Sequence, residues 1–213
     1  MKSKILILII CALCIICSNL MAQSPSFPFI DAHCHIKAIS ADESLPFMTM
    51  EEYFSKYKSL NIKYLFGITI AQKGKIEETR DRNDSLFSMA KRDARFIPVC
   101  SVHPEDGEAT IEELNRIKKL GGKIIKLHPI TQRFSILSDE TISVSRVAGE
   151  LGLVILIDGW VIRSVGIDRV LFGSDQPAVS LPDALKAFNN LDFNDTEREK
   201  ILYKNAIELL GLQ

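Results

Sequence analysis

The stretch Phe29-Ile30-Asp31-Ala32-His33-Cys34-His35 ends an apolar run with two histidines one residue apart. Alternate residues of a β-strand point to the same face, so both imidazoles and the Asp31 carboxylate are expected on one face. Two converging imidazoles supply half of a tetrahedral site for a divalent metal. The stretch therefore predicts a strand that ends in part of a metal site. The alternative is a pair of surface histidines in a loop.

The composition is that of an ordinary globular protein. The chain has 213 residues, of which 46% are hydrophobic and 25% charged, and its formal net charge is −1. Lysine and arginine are scattered, with no basic stripe interleaved with aromatic residues, so we expect no nucleic-acid partner.

The N-terminus has the layout of a secretory signal peptide. A short basic start at residues 1–4 precedes a continuous apolar run at 5–16, and small or polar residues follow up to Ala22. The apolar run is short for a membrane span of about 20 residues. We therefore expect cleavage after residue 22, export to the periplasm or beyond the cell, and no membrane span in the mature chain. The competing interpretation is a retained N-terminal anchor.

Beyond the signal peptide, apolar segments alternate with amphipathic ones. Apolar strands separated by amphipathic helices predict a parallel sheet covered by helices. Helix starts are indicated by the capping-box sequences at residues 49–52 and 110–113 and by Ser138 and Ser180. The predicted strands are 29–33, 63–70, 96–101, 123–128, 153–158 and 169–175.

Two architectures place helices around a parallel sheet, a doubly wound open sheet and a TIM barrel. No glycine-rich turn follows the first strand, so a nucleotide-binding open sheet loses its main support. Polar residues instead gather at the ends of the predicted strands, where a barrel has its active site. These residues are His33, His35, His103, Lys126, His128, Asp158 and Asp175. We therefore predict a TIM (β/α)8-barrel-like fold.

The spacing indicates that the barrel is incomplete. Strand ends recur at intervals close to the roughly 30 residues of a βαβ unit as far as residue 158, but the next end follows at residue 175. The intervening segment is too short for a crossover of about a dozen residues. A barrel has eight strands in about 250 residues, whereas residues 23–213 contain six predicted strands. We predict one domain over 23–213 that lacks units 6–7, with the gap near residues 160–161.

Four motifs together resemble the amidohydrolase-related family, whose members are metal-dependent hydrolases and decarboxylases on a TIM barrel. The motifs are D-A-H-C-H at 31–35, K-L-H-P at 126–129, L-F-G-S-D-Q-P at 171–177 and N-A-I-E-L-L-G-L at 205–212. The resemblance covers nearly all of the chain after the signal peptide except the missing middle.

The resemblance implies a role for each matching residue. His33, His35 and Asp175 correspond to metal ligands, and Asp175 also orients or deprotonates the metal-bound water. Lys126 and His128 correspond to residues that hold a small-molecule substrate. The implied metal is divalent, with zinc expected, because zinc brings the pKa of bound water to about 7 and a nearby carboxylate can accept the proton. The alternatives are a turn cap for Asp175 and a solvent-exposed strand end for Lys126 and His128.

The chain also departs from the family pattern. The family has a histidine ligand at the end of the fifth strand, where this chain has Asp158, which could serve as an oxygen ligand. The sixth-strand histidine of the family falls in the missing segment. Three interpretations stay open: an exported hydrolase that cleaves a C–N or C–O bond, a shortened non-catalytic member, and a decarboxylase. An incomplete barrel would also expose strand edges and favour oligomerisation.

Overall fold

Parallel strands and helices alternate along the chain in a computed structural model, which describes residues 5–7, 28–37, 47–157, 166–191 and 193–213. The expectations for Asp158, for a gap near 160–161 and for cleavage after residue 22 fall outside these ranges and stay predictions.

The sheet in the described ranges has six parallel strands in the order β1-β6-β5-β4-β3-β2. Strands β2 to β6 follow one another in chain order and form a curled half-barrel, which confirms the predicted incomplete TIM-barrel-like fold. The strands are β1 (Ile5–Ile7), β2 (Phe29–Cys34), β3 (Ile62–Ile68), β4 (Phe96–Ser101), β5 (Ile124–Leu127) and β6 (Val154–Ile157).

The predicted strand at 169–175 does not form a regular strand, because Arg169 ends a 3-10 turn and Asp175 has a positive φ, but its later residues pair with β2. The amide of Ala32 donates to the Phe172 carbonyl at 2.9 Å, and the amide of Asp175 donates to the His33 carbonyl at 2.8 Å. A parallel bridge joins Cys34 to Gln176. We call this pairing of β2 with residues 172–176 the seam. It places the last predicted strand next to the first, as in a closed barrel.

The helices begin near the predicted caps in three of four cases. Thr49 forms a complete capping box with Glu52, and Ser138 and Ser180 each accept a backbone amide of the first helical turn. The helices are α1 (Met50–Lys56), α2 (Ile76–Arg92), α3 (Glu108–Lys119), α4 (Pro129–Gln132), α5 (Asp139–Glu150), α6 (Leu181–Asn189), α7 (Asp195–Glu199) and α8 (Asn205–Leu210). A π-helical turn at Lys200–Lys204 joins α7 to α8.

The predicted capping box at 110–113 is wrong. Helix α3 begins at Glu108 and is capped by Gly107, whose positive φ of 61° suits glycine. The Glu113 side chain is fully buried instead, where it pairs with Arg116 at 2.7 Å and accepts a hydrogen bond from Asn83 at 2.8 Å. A buried carboxylate needs such partners, so Glu113 joins α3 to α2 and is not available as a cap.

Three apolar clusters hold the helices to the sheet. The first packs Phe29 of β2 and Phe172 of the seam against α1 and α6, and the second packs Phe66 of β3 against α8. The third lies between strands β4 to β6 and helices α3 and α5. The seam is therefore covered by the helices that flank it in sequence.

Strand β1 lies at the far edge of the sheet. It pairs with β6 in parallel, with Ile5 opposite Ile155 and Ile7 opposite Ile157. These residues belong to the predicted signal peptide, whose removal stays a prediction. Among the described helices, none is both long and apolar enough to cross a membrane.

Candidate metal centre

Three side chains predicted as metal ligands meet at the seam. The Nε2 atoms of His33 and His35 lie 3.4 Å apart, and the Asp175 Oδ1 atom lies 3.3 Å and 3.4 Å from them, respectively. In a tetrahedral site with bonds of 2.0–2.1 Å, ligand atoms lie about 3.3 Å from one another. The three atoms therefore have the mutual spacing that one divalent cation requires.

Access to this cluster is asymmetric. His33 is 3% exposed, whereas His35 and Asp175 are 29% and 24% exposed. Phe47, three residues before α1, stacks on the His35 ring with centroids 6.0 Å apart. One side of the cluster is thus packed in protein, and the other is reached by solvent.

The backbone at the seam places Asp175. Asp175 adopts a left-handed conformation with φ of 58°, which aspartate tolerates better than most residues. Its amide bonds to the His33 carbonyl, and the His35 amide donates to the Gln176 carbonyl at 2.8 Å. The ligand-bearing segments are therefore tied by backbone bonds on both sides of Asp175.

Gly173 lets the two segments approach this closely. A Cβ atom at this position would lie 2.6 Å from the His33 Cβ and 3.0 Å from the His33 nitrogen. Such contacts are closer than packed atoms allow, so any side chain at 173 would push the segments apart. This explains the glycine that precedes Ser174 in the F-G-S-D motif.

Asp31 forms its hydrogen bonds within the seam and with α1. Its carboxylate accepts hydrogen bonds from the Tyr53 hydroxyl at 2.7 Å, the Ser174 hydroxyl at 2.6 Å and amide at 2.8 Å, and the His33 amide at 3.3 Å. Burial raises the pKa of the Asp31 carboxyl above its ordinary value, and these donors oppose that rise. Burial, followed by the nearby Asp31 charge, likewise raises the pKa of Tyr53.

The two residues predicted to hold substrate lie at the end of β5. Lys126 is fully buried, so the alternative of a solvent-exposed lysine is wrong. His128 is the N-cap of α4, and its Nδ1 accepts the Thr131 amide at 3.4 Å. Their role in substrate binding stays a prediction.

Gln132 is a structural residue that the sequence did not indicate. Its side chain accepts the His128 amide at 2.7 Å and donates to the carbonyls of Ala71 and Val102 at 3.1 and 2.9 Å. Its own carbonyl lies 2.8 Å from Nε2 of the buried His103. Gln132 thereby joins the chain just after β3, β4 and β5, a role that becomes visible only once these ends are adjacent.

Comparison with protein families matches residues 160–212 to the amidohydrolase model. The matched region contains the G-S-D segment with Asp175 and the terminal helix. Residues 160–212 therefore resemble the amidohydrolase-related family. Asn205, at the start of α8 in the matched region, has a structural role. Its side chain donates to the carbonyls of Ile167 and Val170, both at 2.8 Å, and so holds the chain that leads into the seam. No curated sequence matches the chain.

Solved structures share the fold at low sequence identity. A Staphylococcus aureus protein classed as an amidohydrolase aligns with a TM-score of 0.70 at 13% identity, covering 87% of this chain and 100% of its own. A dihydroxybenzoic acid decarboxylase from Polaromonas, with bound manganese and 2-nitroresorcinol, aligns with a TM-score of 0.68 at 13% identity and coverages of 87% and 97%. An Acinetobacter baumannii protein classed as a 2-pyrone-4,6-dicarboxylic acid hydrolase, with citric acid bound, aligns with a TM-score of 0.61 at 13% identity. The alignment covers 86% of this chain and 99% of that protein.

Proposed function

We propose that this chain is an exported, metal-dependent enzyme that acts on a small molecule, with His33, His35 and Asp175 holding one divalent cation. The observation that carries the proposal is the meeting of three ligand atoms, 3.3–3.4 Å apart, from segments about 140 residues distant in sequence. Burial of one imidazole and exposure of the other two groups leave the cluster accessible on one side.

In the hydrolytic reaction, a bound divalent ion would supply Lewis acidity and acidify water at neutral pH. His33, fixed in the wall of the seam, and His35, held by the Phe47 ring, would keep their nitrogens directed at one point. The Asp175 carboxylate would accept the proton from the attacking water, because it is the acidic group of the cluster that solvent reaches. Lys126 and His128 would orient the substrate, as the family resemblance implies.

The second candidate is decarboxylation of a carboxylated ring. It is favoured by the similarity to the Polaromonas decarboxylase, which carries manganese. The same three residues would hold the metal in either reaction, so the geometry of the cluster is compatible with both. Zinc stays our prediction for the hydrolase, and manganese is the metal we propose for the decarboxylase.

Metal reconstitution followed by two assays tests the proposal. Purified protein is stripped with a chelator, reloaded with zinc or manganese, and assayed for hydrolysis of lactones and amides and for carbon dioxide release from hydroxybenzoates. Asp175→Asn is expected to lower turnover by about 10²–10⁴-fold, the usual contribution of a general base. Asp183→Asn is the matched control, because Asp183 is an exposed carboxylate at the start of α6.

The outcomes separate the three interpretations. Turnover in one assay, lost in Asp175→Asn and kept in Asp183→Asn, supports the enzyme and identifies its reaction. Metal binding without turnover in either assay supports the non-catalytic member. Turnover that survives chelation and the Asp175→Asn change would contradict the proposal.

A further inference from the structure

One buried carboxylate connects three separate parts of the chain next to the candidate metal centre. Asp31 of β2 is completely buried and accepts four hydrogen bonds, two on each oxygen. Its partners are its own strand through the His33 amide, the last segment through Ser174, and helix α1 through the Tyr53 hydroxyl. The Asp31–Ser174 contact joins residues 143 positions apart.

Ser174 transmits this contact to the backbone around Asp175. The Ser174 amide and hydroxyl both donate to Asp31, and the hydroxyl oxygen also accepts the Gln176 amide at 3.3 Å. Asp175, with its left-handed backbone, lies between Ser174 and Gln176, which this last hydrogen bond joins. A shift of Ser174 would therefore move the carboxylate of Asp175 relative to His33.

We propose that Asp31 is the positioning residue of the metal centre, which clamps the first and last strands through Ser174 and Tyr53 and so sets the spacing of His33, His35 and Asp175. The inference rests on the proposed metal centre. Asp31 acts through backbone amides and through Ser174, and its hydrogen bonds go to none of the three ligand side chains. Groups that orient metal ligands in this indirect way commonly change metal affinity about 10–100-fold when removed.

Two conservative variants remove single donors from the clamp. Ser174→Ala removes the hydroxyl that Asp31 and the Gln176 amide share, and Tyr53→Phe removes the buried hydroxyl from α1 with little change of volume. In the full chain, each is expected to weaken binding of zinc and of manganese about tenfold in competition with a chromophoric chelator.

Each variant has a matched control. Ser101→Ala removes a buried serine hydroxyl that accepts the Ala71 amide and donates to the Lys126 carbonyl, two strands from β2 in the sheet. Tyr57→Phe removes a hydroxyl that donates to the Gln176 side chain at 3.2 Å, beside the same segment, and Asp31 forms no hydrogen bond with it. Both controls are expected to lower the urea midpoint of unfolding. Their metal affinity should stay within about twofold of the wild type, compared with the roughly tenfold loss expected of the two clamp variants.

Asp31→Asn separates the clamp from simple charge attraction. Asparagine keeps one oxygen for the His33 and Ser174 amides and presents its NH₂ group to the Tyr53 and Ser174 hydroxyls, which can accept. The clamp therefore predicts a loss of metal affinity no larger than that of Ser174→Ala. A charge effect predicts the opposite order, with Asp31→Asn severe and the two hydroxyl variants close to wild type. That opposite order would overturn the proposal.

Hydrogen exchange on metal-free protein keeps the clamp testable without a metal. The clamp predicts faster exchange of the Asp175 amide, which bonds to the His33 carbonyl, in Ser174→Ala than in Ser101→Ala. Equal exchange in the two variants overturns the clamp. If the wild type binds neither metal, the proposed metal centre fails, while the exchange result still decides on the clamp.

Discussion

The two ends of the sheet are built differently. At the seam, β2 meets residues 172–176 through backbone bonds, the buried Asp31 carboxylate and the close approach of Gly173 to His33. At the other end, β6 pairs with the three residues of β1, which come from the predicted signal peptide. The candidate ligands lie at the seam, far in strand order from β6.

This difference explains how a shortened barrel can keep part of the candidate metal site. In a closed barrel the first and last strands are neighbours, so ligands on these two strands meet whatever the number of units between them. Absence of units 6–7 would change the β6 end of the sheet and leave the seam assembled. The cluster of His33, His35 and Asp175 depends on the seam. The other histidine positions of the family that the chain resembles would lie at the end of β6 and on the strand after it.

The largest effect is expected when the seam loses its aromatic core. Phe172 is buried and packs edge-on against Phe29 and Phe188, with centroids 6.1 and 5.6 Å away. Phe172→Ala is expected to lower the free energy of unfolding by about 3–5 kcal/mol, measured by urea denaturation, and to weaken metal binding. Leu156→Ala on β6 should cost about 2–5 kcal/mol and leave metal binding intact. Equal loss of metal affinity in both would contradict the separation of the two ends.

A smaller effect is expected from overpacking the seam. Gly173→Ala places a methyl group against His33, so the segments must separate at a cost of about 1–3 kcal/mol and with weaker metal binding. Gly122→Ala is the control, because its Cβ would meet Ile117 at 2.4 Å, away from the seam. Metal titrations of both variants, beside urea denaturation, would show whether close approach at 173 matters to the site. An unchanged affinity in Gly173→Ala would count against it.

Amide exchange compares the two ends directly. The Val154 amide bonds to the carbonyl of Lys123, the residue before β5, so by strand alternation the Ile155 amide is directed to β1. Without residues 1–22, we expect the Ile155 amide to exchange through local opening, which needs little free energy. The Ala32 amide at the seam should exchange only with an opening free energy close to that of global unfolding. Mass spectrometry or NMR can measure both. Equal protection that grows with protein concentration would show that another copy covers β6.

The smallest signal is expected from the thiol in the middle of the sheet. Burial, followed by the charge of Glu113, raises the pKa of Cys100 on β4 far above its ordinary value. Raising a thiol pKa lowers its thiolate fraction, so at pH 8 Cys100 should react with a thiol reagent only as fast as the protein unfolds. Peptide mapping after labelling, with and without denaturant, tests this. Rapid labelling in native protein would mean that the sheet opens as a whole.

The sequence predicted the parts of the molecule that local patterns determine. Strand periodicity located β2 to β6, and the Thr49, Ser138 and Ser180 caps follow from residue type at a helix start. Strand alternation also indicated His33 and His35 as half of a metal site, whereas Asp175 as their partner came from the family motifs, which carry information about distant segments that periodicity lacks.

The remaining features depend on which segments meet in space. The partners of Asp31 lie 22 and 143 positions away, and nothing local marks Tyr53 or Ser174 as its donors. Gln132 is polar in a short helix, and its role depends on three adjacent strand ends. Glu113 matches a capping box but is buried against Asn83 of α2, because tertiary pairing outweighs a local cap.

Anomalous diffraction from crystals grown with manganese or zinc would show whether His33, His35 and Asp175 bind one cation. We expect one peak per chain at the seam, within about 2.0–2.2 Å of the His33 and His35 Nε2 atoms and an Asp175 oxygen, and its loss in His35→Ala. A metal bound elsewhere, or a seam that stays empty at saturating metal, would contradict it.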